Sequence, residues 1–241
     1  MSKTKVLIVI PAYNEEECIL KTYQSIIQYN MNNTLKYDVV VINDGSKDRT
    51  EEILVTNKVS HIKLVNNLGI GGAVQTGYKY ALENDYDIAV QFDGDGQHDV
   101  NYVKNIIDPI INGHFDMVIG SRFIDKKSSR FKSSFTRRIG IKLISFFIKL
   151  FTGKKIYDTT SGFRAVNKEI IKKFANDYPV EYPEPITTVE IIKRGYKVTE
   201  VPVSMNERES GSSSIKAWKN IYYMLNVIIS IIILGIGGKK K

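Results

Sequence analysis

The chain has 241 residues, of which 43% are apolar and 25% charged, and carries a net charge of +8. That length suits one large α/β domain or two small ones, and the balance excludes disorder and collagen-like repeats. Cys18 is the only cysteine, which excludes an internal disulfide and points to a reducing, cytoplasmic setting.

A strand-like run starts near Lys5, so no signal peptide is expected. Val6–Ile10 is a continuous β-branched and aliphatic run, the pattern of a strand buried on both faces. Glu15–Gln28 has helical spacing, with Ile19, Leu20, Tyr23, Ile26 and Ile27 on one side. Asp38–Ile42 predicts a second strand, Asp48–Leu54 a second helix and Ile62–Val65 a third strand. Ala73–Leu82 predicts a helix, Ile88–Phe92 a strand, Val100–Ile111 a helix and Met117–Ile119 a strand. Repeated βα units with short connections imply a mostly parallel, Rossmann-like sheet covered by helices on both faces.

The pattern changes after Gly120. Phe135–Phe151 is a long apolar helix whose polar positions Arg138, Lys142, Ser145 and Lys149 fall on one narrow stripe. A loop over Asp158–Arg164, a helix from Lys168, the segment Tyr182-Pro183-Glu184-Pro185, a helix ending near Gly195 and a strand over Val198–Val203 follow. A Ser/Gly-rich loop, Ser210–Ser214, precedes the apolar tail Tyr222–Ile236. The tail falls short of the roughly 20 apolar residues that span a bilayer core. It reads as a helix lying in a membrane interface, anchored by Trp218, Tyr222 and lysines, the alternative being a helix packed on the domain or on a partner subunit.

Charge is uneven. Lys126 to Tyr157 holds ten basic residues and no acid. Such a block faces nucleic acid, an anionic membrane or a phosphorylated ligand. Nucleic acid is disfavoured, because neither stacking aromatics nor a groove-entering element accompanies the cations.

In an open parallel sheet, ligands bind beyond the carboxyl ends of the strands. The polar clusters fall there: Pro11-Ala12-Tyr13-Asn14-Glu15, Asn43-Asp44-Gly45-Ser46, Asp93-Gly94-Asp95-Gly96-Gln97-His98 and Gly120-Ser121-Arg122. Asp93 and Asp95, two residues apart with glycines between and after, suit a hard divalent cation. An EF-hand is excluded, since its glycine and glutamate positions hold His98 and Lys104. A dinucleotide-binding turn is excluded by the glycine-free, acidic segment Pro11–Glu17, and there is no Walker A sequence. Glu15, Glu16 and Glu17 would repel a triphosphate, which argues against a sugar nucleotidyltransferase. Gly69-Ile70-Gly71-Gly72-Ala73 is either a backbone approach to a ligand or a tight turn with close helix packing.

These segments, with Ser161-Gly162-Phe163-Arg164 and Arg208-Glu209-Ser210-Gly211, resemble a family 2 glycosyltransferase with the GT-A fold, of the polyprenyl-phosphate hexose synthase type (dolichyl-phosphate mannose synthase-like). The resemblance runs from Val9 to about Ser214. It implies a catalytic domain over residues 1–214, with a nucleotide-sugar half at about 1–122 and an acceptor half at about 123–214, followed by a C-terminal helix and basic tail over 215–241. It implies that Pro11, Tyr13 and Glu15 border the base and ribose of a nucleotide diphosphate sugar and that Asp44 contacts the base. Asp93 and Asp95 would hold Mg²⁺ or Mn²⁺ and the donor diphosphate, with Gln97 as a further metal ligand. Arg122, Arg138 (or its neighbour Arg137) and Arg208 would bind phosphate. Where the family often carries Gly-x-Ser-Lys, this chain has Gly211-Ser212-Ser213-Ser214 and lacks the lysine.

The acceptor decides whether a base is needed. A phosphate monoester, with a second pKa near 6, is already anionic at neutral pH and attacks unaided. A sugar hydroxyl needs a general base, for which Glu184 is the candidate; the alternative role for Glu184 is pairing with a basic neighbour. The expected function is inverting transfer of a hexose to a polyprenyl phosphate on the cytoplasmic face of a membrane, with Asp95, Arg122 and possible base Glu184 as the catalytic set. The alternatives are extension of a lipid-linked saccharide in cell-wall or surface polysaccharide synthesis, and a noncatalytic nucleotide-sugar-binding subunit. A membrane partner or a second copy of the chain is a further expected partner.

Overall fold

The computed structural model describes residues 4–124, 135–205 and 217–237, without the side chains of 135–137, 217–221 and 223. Seven strands form one sheet: β1 (Val6–Ala12), β2 (Asp38–Asn43), β3 (His61–Lys63), β4 (Ile88–Gln91), β5 (Met117–Ser121), β6 (Arg164–Asn167) and β7 (Val198–Pro202). Their order is β3-β2-β1-β4-β6-β5-β7. All pairs are parallel except those of β6, which runs antiparallel between β4 and β5. The sequence pattern shows no strand at β6. Four residues beginning with arginine and ending with asparagine carry too little apolar run to stand out.

Among the described residues eight α-helices pack around the sheet: α1 (Ile19–Asn32), α2 (Thr50–Thr56), α3 (Gly69–Glu83), α4 (Val103–Ile111), α5 (Phe135–Thr152), α6 (Lys168–Asn176), α7 (Pro183–Lys193) and α8 (Ala217–Ile236). Successive side chains of a strand point to opposite faces. Accordingly Leu7 and Val9 join one core with α3, α5, α6, α7 and α8, while Val6, Ile8 and Ile10 join a second with α1, α2 and α4.

Two helix starts differ from the sequence reading by four residues. α1 begins at Ile19 rather than Glu15, because Asn14 is left-handed (φ 55°) and the Glu15 and Glu16 N–H groups are spent on Thr50 and Asp48. α3 begins at Gly69 rather than Ala73, so Gly69, Gly71 and Gly72 lie inside the first turn. A Cβ at Gly71 would stand 2.2 Å from the Pro179 carbonyl oxygen, so close packing is what glycine permits there.

The terminal helix packs on α5 and α7. Val227 and Ile231 are fully buried, each burial contributing about 1.5–3 kcal/mol. Gly140 of α5 lets Met224 approach, and Gly235 lets the Phe151 ring approach. Lys193, at the end of α7, donates from Nζ to the carbonyls of Leu234 (2.5 Å), Gly235 (2.7 Å) and Gly237 (2.7 Å). A cation there satisfies the last carbonyls of α8 and opposes the negative end of its dipole. The outward side of α8 is apolar: Tyr222, Leu225, Ile229, Ile233 and Ile236 are all exposed. The polar positions Asn226 and Ser230 lie beside that face, not on it. No helix among the described residues is long and apolar enough to cross a membrane.

Candidate active site

The carboxyl ends of β1, β2, β4 and β5 meet at one edge. Antiparallel β6 starts at that same edge, which brings Ser161, Gly162, Phe163 and Arg164 there too. The loops after β1 and β2 are laced together. Asp44 N–H donates to the Ala12 carbonyl (2.8 Å), Asn14 N–H to Ser46 Oγ (3.0 Å) and Lys47 N–H to Asn14 Oδ1 (2.8 Å). Gly45 turns at φ 67°, where a Cβ would strike the Asn67 backbone nitrogen at 2.9 Å. Pro11 is buried at the end of β1, Tyr13 is exposed at the mouth, and Glu15 is partly buried beside α2. Asp44 is buried and its Oδ1 accepts from Leu68 N–H (2.7 Å). Burial pushes its carboxyl up, and the N–H groups of Leu68 and Gly69 work against that rise.

The turn after β4 carries the acidic pair. Asp95 is buried and its Oδ1 accepts from Gln97 N–H (3.1 Å). Asp93 Oδ2 lies 3.0 Å from His98 Nε2. His98 is buried against Phe163, ring centroids 4.7 Å apart, and bridges to Met205 through the backbone. Gly162 leaves open the space beside Asp93: a Cβ there would lie 3.0 Å from Asp93 Oδ1 and 3.2 Å from Oδ2. Two carboxylates and the Gln97 amide oxygen are hard oxygen donors, and that open cradle fits an oxygen-bound divalent ion. Among the described residues no three His, Cys, Asp or Glu side chains converge on one point. A two-carboxylate set completed by substrate phosphates is the usual arrangement for Mg²⁺ at nucleotide sites.

Glu184 occupies the first turn of α7, between Pro183 and Pro185, after a left-handed Tyr182 (φ 52°). Arg164, almost fully buried, holds that turn by donating Nη1 to the Glu184 carbonyl (2.8 Å) and to Thr187 Oγ1 (3.1 Å). Burial raises the Glu184 carboxyl above its ordinary range; Arg164 opposes the rise and Asp93 adds to it. Tyr78, Tyr178, Arg164 and Glu184 thus form one electrostatically linked cluster, which Asp93 also reaches.

Beyond β5 the edge opens into a groove of about 940 Å³, lined by Arg122, Phe123, Arg138, Ile141, Lys142, Ser145, Phe146, Lys149, Lys155 and Tyr157. Five of these are cations and none is an acid. Ser145 is buried and donates to the Ile156 carbonyl, so it does not extend the polar stripe of α5 to the surface. Ile139, Leu143, Phe146 and Leu150 of α5 are exposed among the lysines. Arg122 is 5% exposed and grips Asp158, which is wholly buried, through Nε (2.7 Å) and Nη2 (2.8 Å). Asp93 acts electrostatically on Arg122, which sets the acidic pair next to the groove.

The sequence profile described as "Glycosyl transferase family 2" matches residues 7–174, most of the described sheet and its site. The chain belongs to glycosyl transferase family 2. This family 2 glycosyltransferase is 32% identical to the uncharacterized protein MJ1222 of Methanocaldococcus jannaschii, over 93% of each chain. It is 33% identical to the UDP-N-acetylglucosamine–dolichyl-phosphate N-acetylglucosaminyltransferase of Methanococcus voltae, covering 84% of this chain and 86% of that one. It is 27% identical to the polyprenol monophosphomannose synthase of Mycolicibacterium smegmatis, covering 88% and 81%. Among solved structures, glucosyl-3-phosphoglycerate synthase from Mycobacterium tuberculosis, in complex with Mn²⁺, uridine diphosphate and phosphoglyceric acid, superposes with a TM-score of 0.72. That match has 17% sequence identity and covers 98% of this chain and 80% of that one, which establishes the GT-A-type fold.

Of the residues expected from sequence, the structure brings together Pro11, Tyr13, Glu15, Asp44, Asp93, Asp95 and Gln97 at one edge, with Glu184 near Asp93 and with Arg122 and Arg138 in the adjoining groove. Arg208, the Arg137 side chain and the Ser210–Ser214 loop lie outside the described residues. Sequence reasoning missed Asp158 and Glu200. Asp158 carried one signal, as the acid that ends the acid-free basic block.

Proposed function

We propose that this glycosyltransferase moves a hexose, with inversion, from a nucleotide diphosphate sugar to a polyprenyl phosphate at a membrane surface. The observation that carries the reading is the groove: five cations and, among the described residues that line it, no acid, between exposed apolar residues of α5 and next to Asp93. An anionic head with a long apolar body is the ligand chemistry that matches both features. The relatives named for dolichyl phosphate and polyprenol support the same acceptor class.

In this reading residues 1–122 hold the donor and 123–214 the acceptor. Asp44 faces the base, Pro11, Tyr13 and Glu15 border the nucleoside, and Asp93, Asp95 and Gln97 would hold Mg²⁺ or Mn²⁺. When bound, such an ion supplies Lewis-acid stabilisation of the leaving diphosphate. Arg122 and Arg138 orient the acceptor phosphate toward the sugar and offset its charge. The exposed faces of α5 and α8 lie on the lipid, with the groove lysines near anionic headgroups.

A second reading has one observation in its favour. The raised Glu184 carboxyl near Asp93 suits a general base for a sugar hydroxyl, which would make the acceptor a lipid-linked saccharide.

The test is a thermal-shift screen of UDP-, GDP- and dTDP-sugars with and without Mn²⁺, followed by transfer from the stabilising donor to undecaprenyl phosphate. A labelled lipid monophosphate sugar, formed equally by Glu184→Gln, supports the first reading. Label only on a lipid-linked saccharide, abolished by Glu184→Gln, overturns it in favour of the second.

A further inference from the structure

We propose that Asp158 and Glu200 are positioning residues that fix the Arg122 guanidinium in the wall of the groove and so govern capture of the acceptor phosphate. The role toward the acceptor rests on the reading above; the relay itself stands on geometry.

Arg122 immediately follows β5. An arginine side chain carries about 2 kcal/mol of rotamer entropy, so one in a groove wall is well placed only if something holds it. Asp158 does this with both oxygens. Its Oδ2 accepts from the Arg122 backbone N–H (3.0 Å) and from Nε (2.7 Å), and its Oδ1 accepts from Nη2 (2.8 Å). The backbone and the guanidinium of one residue are thus fixed by one carboxylate. That carboxylate lies 36 residues further along, in a loop with no regular structure of its own.

The loop in turn is held by Glu200. Its Oε1 accepts from Asp158 N–H (2.7 Å) and its Oε2 from Tyr157 N–H (2.7 Å). Each oxygen takes one backbone donor, so the carboxylate sets the place of the chain at Asp158. Glu200 stands on β7 in register with Ile119 of β5. The path therefore closes: β5 carries Arg122, Arg122 binds Asp158, Asp158 hangs from Glu200, and β7 pairs with β5. Ser161 tightens the same loop by donating Oγ to the Gly120 carbonyl (2.6 Å). Arg122 and Tyr157, at the two ends of this path, both line the groove.

The substitutions act predictably on it. Asparagine at 158 places an amide donor against the arginine's donors. Glutamine at 200 keeps one acceptor and turns the other into a donor facing a backbone N–H.

The relay is read first by nitrogen NMR on protein labelled at arginine, with the Arg122 Nε–H signal assigned through Arg122→Lys. The expected wild-type signal is resolved and slow to exchange. Asp158→Asn should remove it, and Glu200→Gln should speed its exchange about tenfold or more, the worth of one charge-assisted hydrogen bond, with the other arginine signals in place. Should Asp158→Asn fail to fold, the milder Glu200→Gln carries the test. An Arg122 signal unchanged in Glu200→Gln overturns the relay. The second readout is a split of kinetic constants with undecaprenyl phosphate: in both variants the acceptor KM should rise about tenfold or more, while UDP and GDP binding with Mn²⁺ stays within about twofold. An unmoved acceptor KM, or donor affinity falling in step, overturns the role. A wild type inert toward undecaprenyl phosphate removes the acceptor reading and that role together, and leaves the relay to be judged by the NMR signal.

Discussion

At the carboxyl-terminal edge of the sheet, Asp44 and Asp95 each have a donor already aimed at their carboxylates, from Leu68 N–H and Gln97 N–H, and His98 Nε2 lies 3.0 Å from Asp93 Oδ2. On α5, by contrast, Arg138, Lys142 and Lys149 stand on the exposed side of the helix, with Ile139, Leu143, Phe146 and Leu150 around them. The first region is preorganised, as suits a compact polar ligand read atom by atom. The second is a charged, greasy surface that tolerates a long ligand of variable shape. Arg122 joins the two styles: a groove cation braced as the acids of the sheet edge are. Damage should therefore act differently in the two places, steeply at the edge and by increments along the helix.

The largest effect is expected at the edge. Asp95→Ala should lower transfer about a thousandfold or more, because several kcal/mol of leaving-group stabilisation go with the carboxylate. Loss of Mn²⁺-dependent UDP or GDP binding in calorimetry should accompany it, and a variant that keeps both would break the assignment of the acidic pair.

Next, reversing charge on α5 with Lys142→Glu and Lys149→Glu should reduce binding to phosphatidylglycerol vesicles about tenfold or more, at roughly 1 kcal/mol per basic residue near an anionic surface. Added salt should shrink the difference, and phosphatidylcholine vesicles should show little of it. Equal loss on both vesicle types would remove charge from the account of that surface.

The two sides of α8 sharpen the comparison further. Ile231 is fully buried and Ile233 is 66% exposed. Ile231→Ala should cost about 2–5 kcal/mol and lower Tm by about 5–10 °C. Ile233→Ala should leave Tm nearly unchanged and weaken vesicle binding alone. Equal melting shifts for the two would show that the outward side is covered by protein.

The smallest effect concerns pH. Burial holds the Glu184 carboxyl above its ordinary range, so the folded chain binds that proton more tightly than the unfolded one. Stability from this site is present below the ordinary carboxyl value and is lost as pH rises through the raised one. Glu184→Gln should therefore match wild type near pH 4 and exceed it near pH 8 by about 1–3 °C in Tm. A gap that does not change with pH would mean that the carboxyl ionises as it does in water.

The parallel part of the sheet was legible because Val6–Ile10, Asp38–Ile42 and Ile88–Phe92 are short aliphatic runs separated by helical spacing, a pattern with few other solutions. Asp93 and Asp95 were legible for a related reason, since a ligand pair two residues apart is a local fact. What was hidden is what depends on chain segments far apart. β6 lies between β4 and β5 on the strength of partners, not composition. Gly71 and Gly72 read as loop, yet they lie in a helix because Pro179 and Val180 press against Gly71 and the Leu68 side chain against Gly72. Asp158 finds Arg122 across 36 residues, and no spacing rule announces such a pair. On the last helix, packing against α5 and α7 decided which face turned outward.

The ammonium of Lys193 on the last carbonyls of α8 has a mechanical consequence. A tail fastened at its far end, with Val227 and Ile231 sunk in the body, is no tether on which the enzyme can swing. Any plane that receives the outward residues of that helix receives the whole molecule at one tilt and one height, so the distance from the plane to the reacting carbon is built into the protein before either substrate arrives.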